Sequence, residues 1–234
     1  MPIDPLKSAI NRAYQFCEDQ QSALDEGRIT EEEWFDIHCQ FFTGKYLAAD
    51  NPRSQSGHGG DEAAYRYTRG MLIEAIDRSG RLLDVGCANG LLIEKLHEWL
   101  TGSGLDVEVH GLDISDRLLE LAKKRLPHWR DRFHLGNALH WIPTAKFDFV
   151  CIAELAYVPE KRERTLLYHL FEHCVAPGGR LILGPSSEER DSREIEGKVR
   201  AWGYAPTGYC EKSHQREPAL CRRMFWFDKE REAK

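Results

Sequence analysis

The sequence predicts an α/β fold, a largely parallel sheet covered by helices on both faces. Two observations carry this. From Arg81 onward, apolar strand-like runs alternate with amphipathic helical segments, the pattern of parallel strands joined by crossover helices. After Trp202, GYAPTGYCEKS and RRMFWFD follow one another with no helix between them. They should form a hairpin, which makes the last strand antiparallel. With 234 residues, 41% of them hydrophobic, the chain is long enough to bury a full core as one domain with an appended segment.

The elements follow in order. The first fifty residues read as two helices, the first over Pro5–Asp25. The second opens on a capping box: Thr30 accepts from the Glu33 N–H and the Glu33 carboxylate reaches back. Trp34, Phe35, Ile37, His38, Phe41 and Phe42 recur at helical spacing, an aromatic stripe that needs a surface to cover. The polar stretch NPRSQSGHGGDE, Asn51 to Glu62, carries three glycines in four residues and reads as a linker or a lid. Asp61 is a good N-cap for the next helix, along which Ala64, Tyr67, Met71, Leu72, Ala75 and Ile76 line one side. Strands are expected at RLLDVG, VEVHGLD, RFHLGN, FDFVCIA and GRLILGP. Helices are expected over Leu91–Leu100, Ser115–Leu126, Glu160–Cys174 and Asp191–Trp202.

Charge and composition narrow the function. Residues 1–50 hold four Lys/Arg and ten Asp/Glu and so account for the whole net charge of −6; the remainder holds 28 of each sign. A nucleic-acid binder usually shows a basic excess, so DNA is not an expected partner. The cluster Lys123 to Arg132 reads as a solvated face with favourable charge at a helix C-terminus. No apolar run approaches the length of a membrane span, and MPIDPLKSAI lacks the charged-then-apolar layout of a leader. The seven cysteines form no CxxC pair and read as reduced thiols of a cytoplasmic protein. No histidine and carboxylate set has metal-ligand spacing, so no metal is expected.

The segment LLDVGCANGLL carries the chemistry. An apolar strand ends at Asp84-Val85-Gly86, and the tight loop Cys87-Ala88-Asn89 leads to Gly90 and a helix. Small residues there let a ligand approach the backbone, and the helix start offers free N–H groups. The order D-x-G-x-x-x-G is a poor dinucleotide fingerprint. A second strand ends in Asp113, 27 residues beyond Gly86. An acid at that place can accept from both ribose hydroxyls of a nucleoside held over the first loop; alone it would equally be a helix cap.

On these residues the chain resembles the class I S-adenosylmethionine-dependent methyltransferases, over roughly residues 61–234. DVGCANG is similar to the first motif of that family, with Ala88 in place of the commonest middle glycine, and GLDIS is similar to the second. HLGNALHW is similar to the third, with Asn137 where an acid commonly meets the adenine amino group. FDFVCIAELAYVP looks like the fourth strand and its exit, and CVAPGGRLIL like the turn and fifth strand. The stretch ahead of LLDVGCANG also resembles a bacterial subgroup of small methyltransferases, a likeness that brings no substrate with it.

The resemblance implies a Rossmann-like seven-stranded sheet in the order 3-2-1-4-5-7-6, with strand 7 antiparallel, and S-adenosylmethionine as cofactor. Residues 1–60 would be a helical cap and lid, and 61–234 the cofactor-binding domain. Asp84, Gly86, Cys87, Ala88, Asn89 and Gly90 would wall the methionine and ribose. Asp113 would bind the ribose hydroxyls, Ile114 would pack on adenine, and Asn137 and Ala138 would read its edge. Glu154 and Tyr157 stand where the methyl group should emerge. Glu154 would hold the methionine ammonium, orient the acceptor or act as a base; a plain surface carboxylate and a packing tyrosine are the bland alternatives. In the lid, Arg53 is expected at the methionine carboxylate, with Gln55, Ser56, Gly57 and His58 facing cofactor or substrate. The expected reaction is in-line methyl transfer to a small molecule. An RNA or protein acceptor, and a binding protein without activity, are the alternatives. The N-P-P-Y signature of base amino-group methylation is absent after strand four.

Overall fold

The structure, a computed structural model, describes residues 5–231; residues 1–4, on which the leader reading partly rests, and the last three lie outside it. Seven strands form one sheet in the order β3-β2-β1-β4-β5-β7-β6. They are β1 (Gly80–Val85), β2 (Val107–Asp113), β3 (Phe133–Leu135), β4 (Phe147–Ile152), β5 (Val175–Glu189), β6 (Gly208–Ser213) and β7 (Leu220–Asp228). The first five pair in parallel, and β7 runs antiparallel between β5 and β6. That is the hairpin expected from the missing helix after Trp202.

The helices are α1 (Pro5–Asp25), α2 (Glu31–Leu47), α3 (Glu62–Arg69), α4 (Leu91–Gly102), α5 (Asp116–Arg125), α6 (Glu163–His169) and α7 (Glu194–Ala201). Strand alternation splits the core in two. Leu82, Phe149, Ile182 and Met224 pack under α4 and α5 on one face. Leu83, Val150, Leu181 and Phe227 pack against α6 on the other. Adjacent residues of one strand therefore serve opposite layers, as a period of two requires.

Two expectations shift. The helix opened by Asp61 stays α-helical only to Arg69 and continues as a 3-10 turn over Gly70–Ala75. Within α3, Tyr65 and Thr68 are buried and Ala64 and Tyr67 only half-buried. The helix expected from Asp191 begins at Glu194, because β5 runs on past Pro185 through a register shift to Glu189.

The N-terminal hairpin docks as its aromatic stripe requires. The capping box at Thr30 and Glu33 is formed. Phe41 stacks on Phe16 of α1 at 3.8 Å between ring centroids, and Phe35 packs on the core that holds Leu139 and Val158. Arg162 clasps Glu31 through both carboxylate oxygens at 2.9 Å. Further along α2, Thr43 donates to Ser115 Oγ at 2.7 Å. The helix thus crosses the C-terminal edge of the sheet from the β4 side to the β2 side.

Candidate functional site

Beneath α2, at the C-terminal ends of β1, β2 and β4, lies a cavity of about 310 Å³. Small-molecule sites usually fall between about 300 and 1,000 Å³ and sit at this edge of open α/β sheets. Its floor is the loop after β1. Gly86 lies at φ 80, and a Cβ there would stand 2.6 Å from the Tyr157 ring. The ring covers the loop only because the side chain is missing. Ala88 takes a left-handed φ of 46, as a glycine at this motif position would without strain.

Asp84 and Asp113 reach the cavity from β1 and β2. Burial, opposed chiefly by the Arg69 charge and then by the Cys151 thiol hydrogen bond, pushes the Asp84 carboxyl up to about 7. Asp113 accepts from the Ala88 and Ser115 N–H groups at 2.8 Å each. Burial nevertheless raises its pKa, with those bonds pulling the other way. Two carboxylate lone-pair sites remain for a ligand hydroxyl. Ile114 lines the cavity beside it.

At the third motif, Asn137 and Ala138 line the cavity, but the Asn137 carbonyl already accepts from Leu139 N–H at 3.0 Å. The amide NH₂, a donor, is left for a ligand. Glu154 and Tyr157 border the cavity after β4. Burial, then the charge of Glu154, drives the Tyr157 phenol well above its usual range, so it is a hydrogen-bond donor at neutral pH.

The lid is ordered otherwise than expected. Arg53 and Gln55 do not line the cavity. Arg53 donates to Gly60 O at 3.1 Å and pairs with Glu62 at 3.3 Å; Gln55 donates to Ala49 O at 3.0 Å. Both side chains fold their own loop. Ser56 and Gly57 do face the cavity, with Gly57 at φ 80 against the Tyr46 hydroxyl. Asn89 and Gly90 also stay outside it. The Asn89 amide donates to Pro52 O at 2.8 Å, tying the lid to the first loop. His58 is not on the wall either.

Sequence reasoning missed Arg69. It lines the cavity, has no ion pair among the described residues, and feels Tyr157, Tyr65, Asp84 and Glu154 as favourable neighbours against the cost of burial. A signal existed: Tyr65 and Arg69 are four apart on α3, so both face the β1 loop. Trp34, His38, Phe42 and Tyr46 of α2 and Cys17 of α1 complete the roof. The aromatic stripe was therefore both packing and cavity wall.

Residues 82–179 match the family described as a methyltransferase domain. Among solved structures, a 1,6-didemethyltoxoflavin-N1-methyltransferase from Burkholderia thailandensis, with 1,6-didemethyltoxoflavin and S-adenosylhomocysteine bound, superposes at a TM-score of 0.62. It is 16% identical and covers 86% of this chain and 91% of its own. The middle of the chain thus matches a methyltransferase domain, and the chain shares the fold of a methyltransferase that binds S-adenosylhomocysteine.

The same fold serves more than one chemistry. The [4+2]-cyclase SpnF superposes at a TM-score of 0.61, is 14% identical, and covers 87% of this chain and 98% of its own. At these identities the likeness speaks for the fold. The ribosomal RNA small subunit methyltransferase G of Cupriavidus metallidurans is 29% identical over 134 residues, 53% of this chain and 51% of that protein. The chain thus spans about half the length of the curated relative that it matches. The cavity fits S-adenosylmethionine on its own terms. It offers a loop open to close backbone approach at Gly86, a fixed carboxylate at Asp113 and an unpaired guanidinium at Arg69.

Proposed function

We propose that the protein transfers the methyl group of S-adenosylmethionine to a small molecule held between the N-terminal helices and the C-terminal ends of β4 and β5. The observation that carries this reading is the roofed cavity itself, which joins three motif segments below to α2 above. Residues 1–60 serve as its cap and lid, and the rest as the cofactor domain. The free thiols suit a cytoplasmic protein.

When bound, the cofactor supplies a methyl group already activated on a sulfonium, so the chain has to align and dry the partners. Asp113 holds the ribose hydroxyls and Ile114 packs on the base. The Asn137 NH₂ and the Ala138 N–H meet the ring acceptors. Arg69, in place of Arg53, pairs with the methionine carboxylate, and Gly86, Cys87, Ala88 and Gly57 shape the wall. Asp84 faces the ammonium. Glu154 is the carboxylate left for the acceptor, and it takes the proton when the nucleophile must lose one. Tyr157 donates to the acceptor.

An RNA acceptor is the second reading, favoured by the name of the 29% identical relative. The roof of α2 and the lack of basic excess speak for the first. A labelled-methyl screen of metabolite pools and of RNA, run with wild type and Glu154→Gln, separates them. Label entering a small-molecule fraction, with turnover lost in the variant at unchanged cofactor affinity, supports the proposal. Label entering RNA alone overturns the acceptor class.

A further inference from the structure

Where α3, the Asn51–Glu62 segment and the β6–β7 hairpin meet, the structure gathers guanidinium groups without matching anions. Arg69 lines the cavity and pairs with nothing among the described residues. Arg222 on β7 spends one Nη1 proton on Ser187 Oγ at 2.9 Å, while its Nε is buried with no partner. Burial, and then the charge of Arg69, lowers the Arg222 pKa.

His58 marks the same field. Its Nε2 is buried and unpartnered. Burial first, then Arg69, Arg222, Arg53 and Arg216, hold it down at about 4, so it is neutral at pH 7. Of these four arginines, only Arg53 has a carboxylate partner among the described residues, Glu62 at 3.3 Å. Glu154 attracts both Arg69 and Arg222 but forms an ion pair with neither.

The neighbouring residue is the internal control. Arg223 points to the other face of β7 and meets two carboxylates, Glu211 at 2.7 Å and Glu188 at 3.3 Å. It also donates to the carbonyls of Ser192 and Arg190. An arginine with a structural task in this hairpin has its partners, as buried donors do. Arg222, one residue away and paired with Ser187 at the C-terminal end of β5, does not.

We propose that Arg222 binds an oxyanion, a carboxylate or a phosphate group, carried by the methyl acceptor, so that the substrate is a small anionic molecule. This rests on the proposed cofactor reading, in which Arg69 is occupied by the methionine carboxylate. Guanidinium is the group of choice here because its fork matches both oxyanions. Glu154 then stands between the anion at Arg222 and the reacting atom.

The test titrates the full chain, saturated with S-adenosylhomocysteine, with benzoate and with inorganic phosphate at constant ionic strength. The expected result is saturable one-to-one binding of at least one anion, and which one binds tells carboxylate from phosphate. Arg222→Gln should weaken it about tenfold or more and Arg222→Lys should restore part, both at unchanged S-adenosylhomocysteine affinity. No saturable binding of either anion to protein that holds S-adenosylhomocysteine, or equal binding by Arg222→Gln, overturns the inference and leaves the cofactor reading standing. Failure of S-adenosylhomocysteine itself to bind overturns both. A short RNA that displaces the anions at lower concentration overturns the small-molecule assignment. If Arg222→Gln does not fold, the Arg222→Lys titration alone decides, by whether the anion affinity moves.

Discussion

Asp84 and Arg69 both line the cavity, and each feels the charge of the other. The Asp84 carboxyl is held at about 7 in the folded chain against 3.8 in the open one. A carboxyl raised in this way binds its proton more tightly when folded. Its contribution to stability is full below pH 4 or so, and is lost as pH rises through about 7. Asp84→Asn should therefore flatten the fall in unfolding free energy between those limits, measured by denaturant titration at several pH values. A parallel slope in wild type and variant would remove Asp84 as the source. Arg69→Ala should weaken S-adenosylhomocysteine about tenfold or more, the loss of one charge-assisted contact, read by calorimetric titration. Arg53→Ala should leave that affinity within about twofold, because Arg53 is engaged with Gly60 and Glu62. The sequence reading expected Arg53 at this end of the site; the structure engages Arg53 within its own loop and puts Arg69 on the cavity wall. Nothing in the order of residues tells which side chains a polar loop spends on its own turns.

At the scale of elements, the loop after β1 and helix α2 decide whether the cavity exists. Gly86→Ala would bring a Cβ to 2.6 Å from Tyr157 at a φ of 80, a backbone region that costs an L-residue about 1–2 kcal/mol. It should lower both the melting temperature and the S-adenosylhomocysteine affinity. Adding Tyr157→Ala should recover part of the loss, the clash, and leave the backbone part. No recovery in the double variant would mean that the ring does not press on the loop. Thr43→Val removes the buried bond to Ser115 and should cost about 1 kcal/mol, detected as a lower denaturation midpoint and faster proteolysis in α1 and α2. The elements were largely legible because their apolar periods are strong: β2 and β4 begin where their alternation begins. The α-helix opened by Asp61 stopped early, at Arg69. Tyr65 and Arg69 fall in that last α-helical stretch, four apart, and so face the site together.

For the whole molecule, the sheet order was readable from strand-helix alternation, one missing helix and the family motifs. The places of Asp113, Gly86 and Glu154 on the cavity wall were readable because motif and strand end coincide. The roof was legible only in part. The stripe Trp34–Phe42 announced a surface to cover without saying that half of it would bound a cavity. Arg222 was not legible at all, since only the fold leaves its Nε without a partner while Arg223 beside it meets Glu188. The account stands or falls on the cofactor. Calorimetric titration of the full chain with S-adenosylhomocysteine, in wild type and Asp113→Ala, tests it most directly. The account predicts one site per chain, weakened about tenfold to a hundredfold when the Asp113 carboxylate is removed. No binding by folded wild type, or equal binding by folded Asp113→Ala, would contradict it.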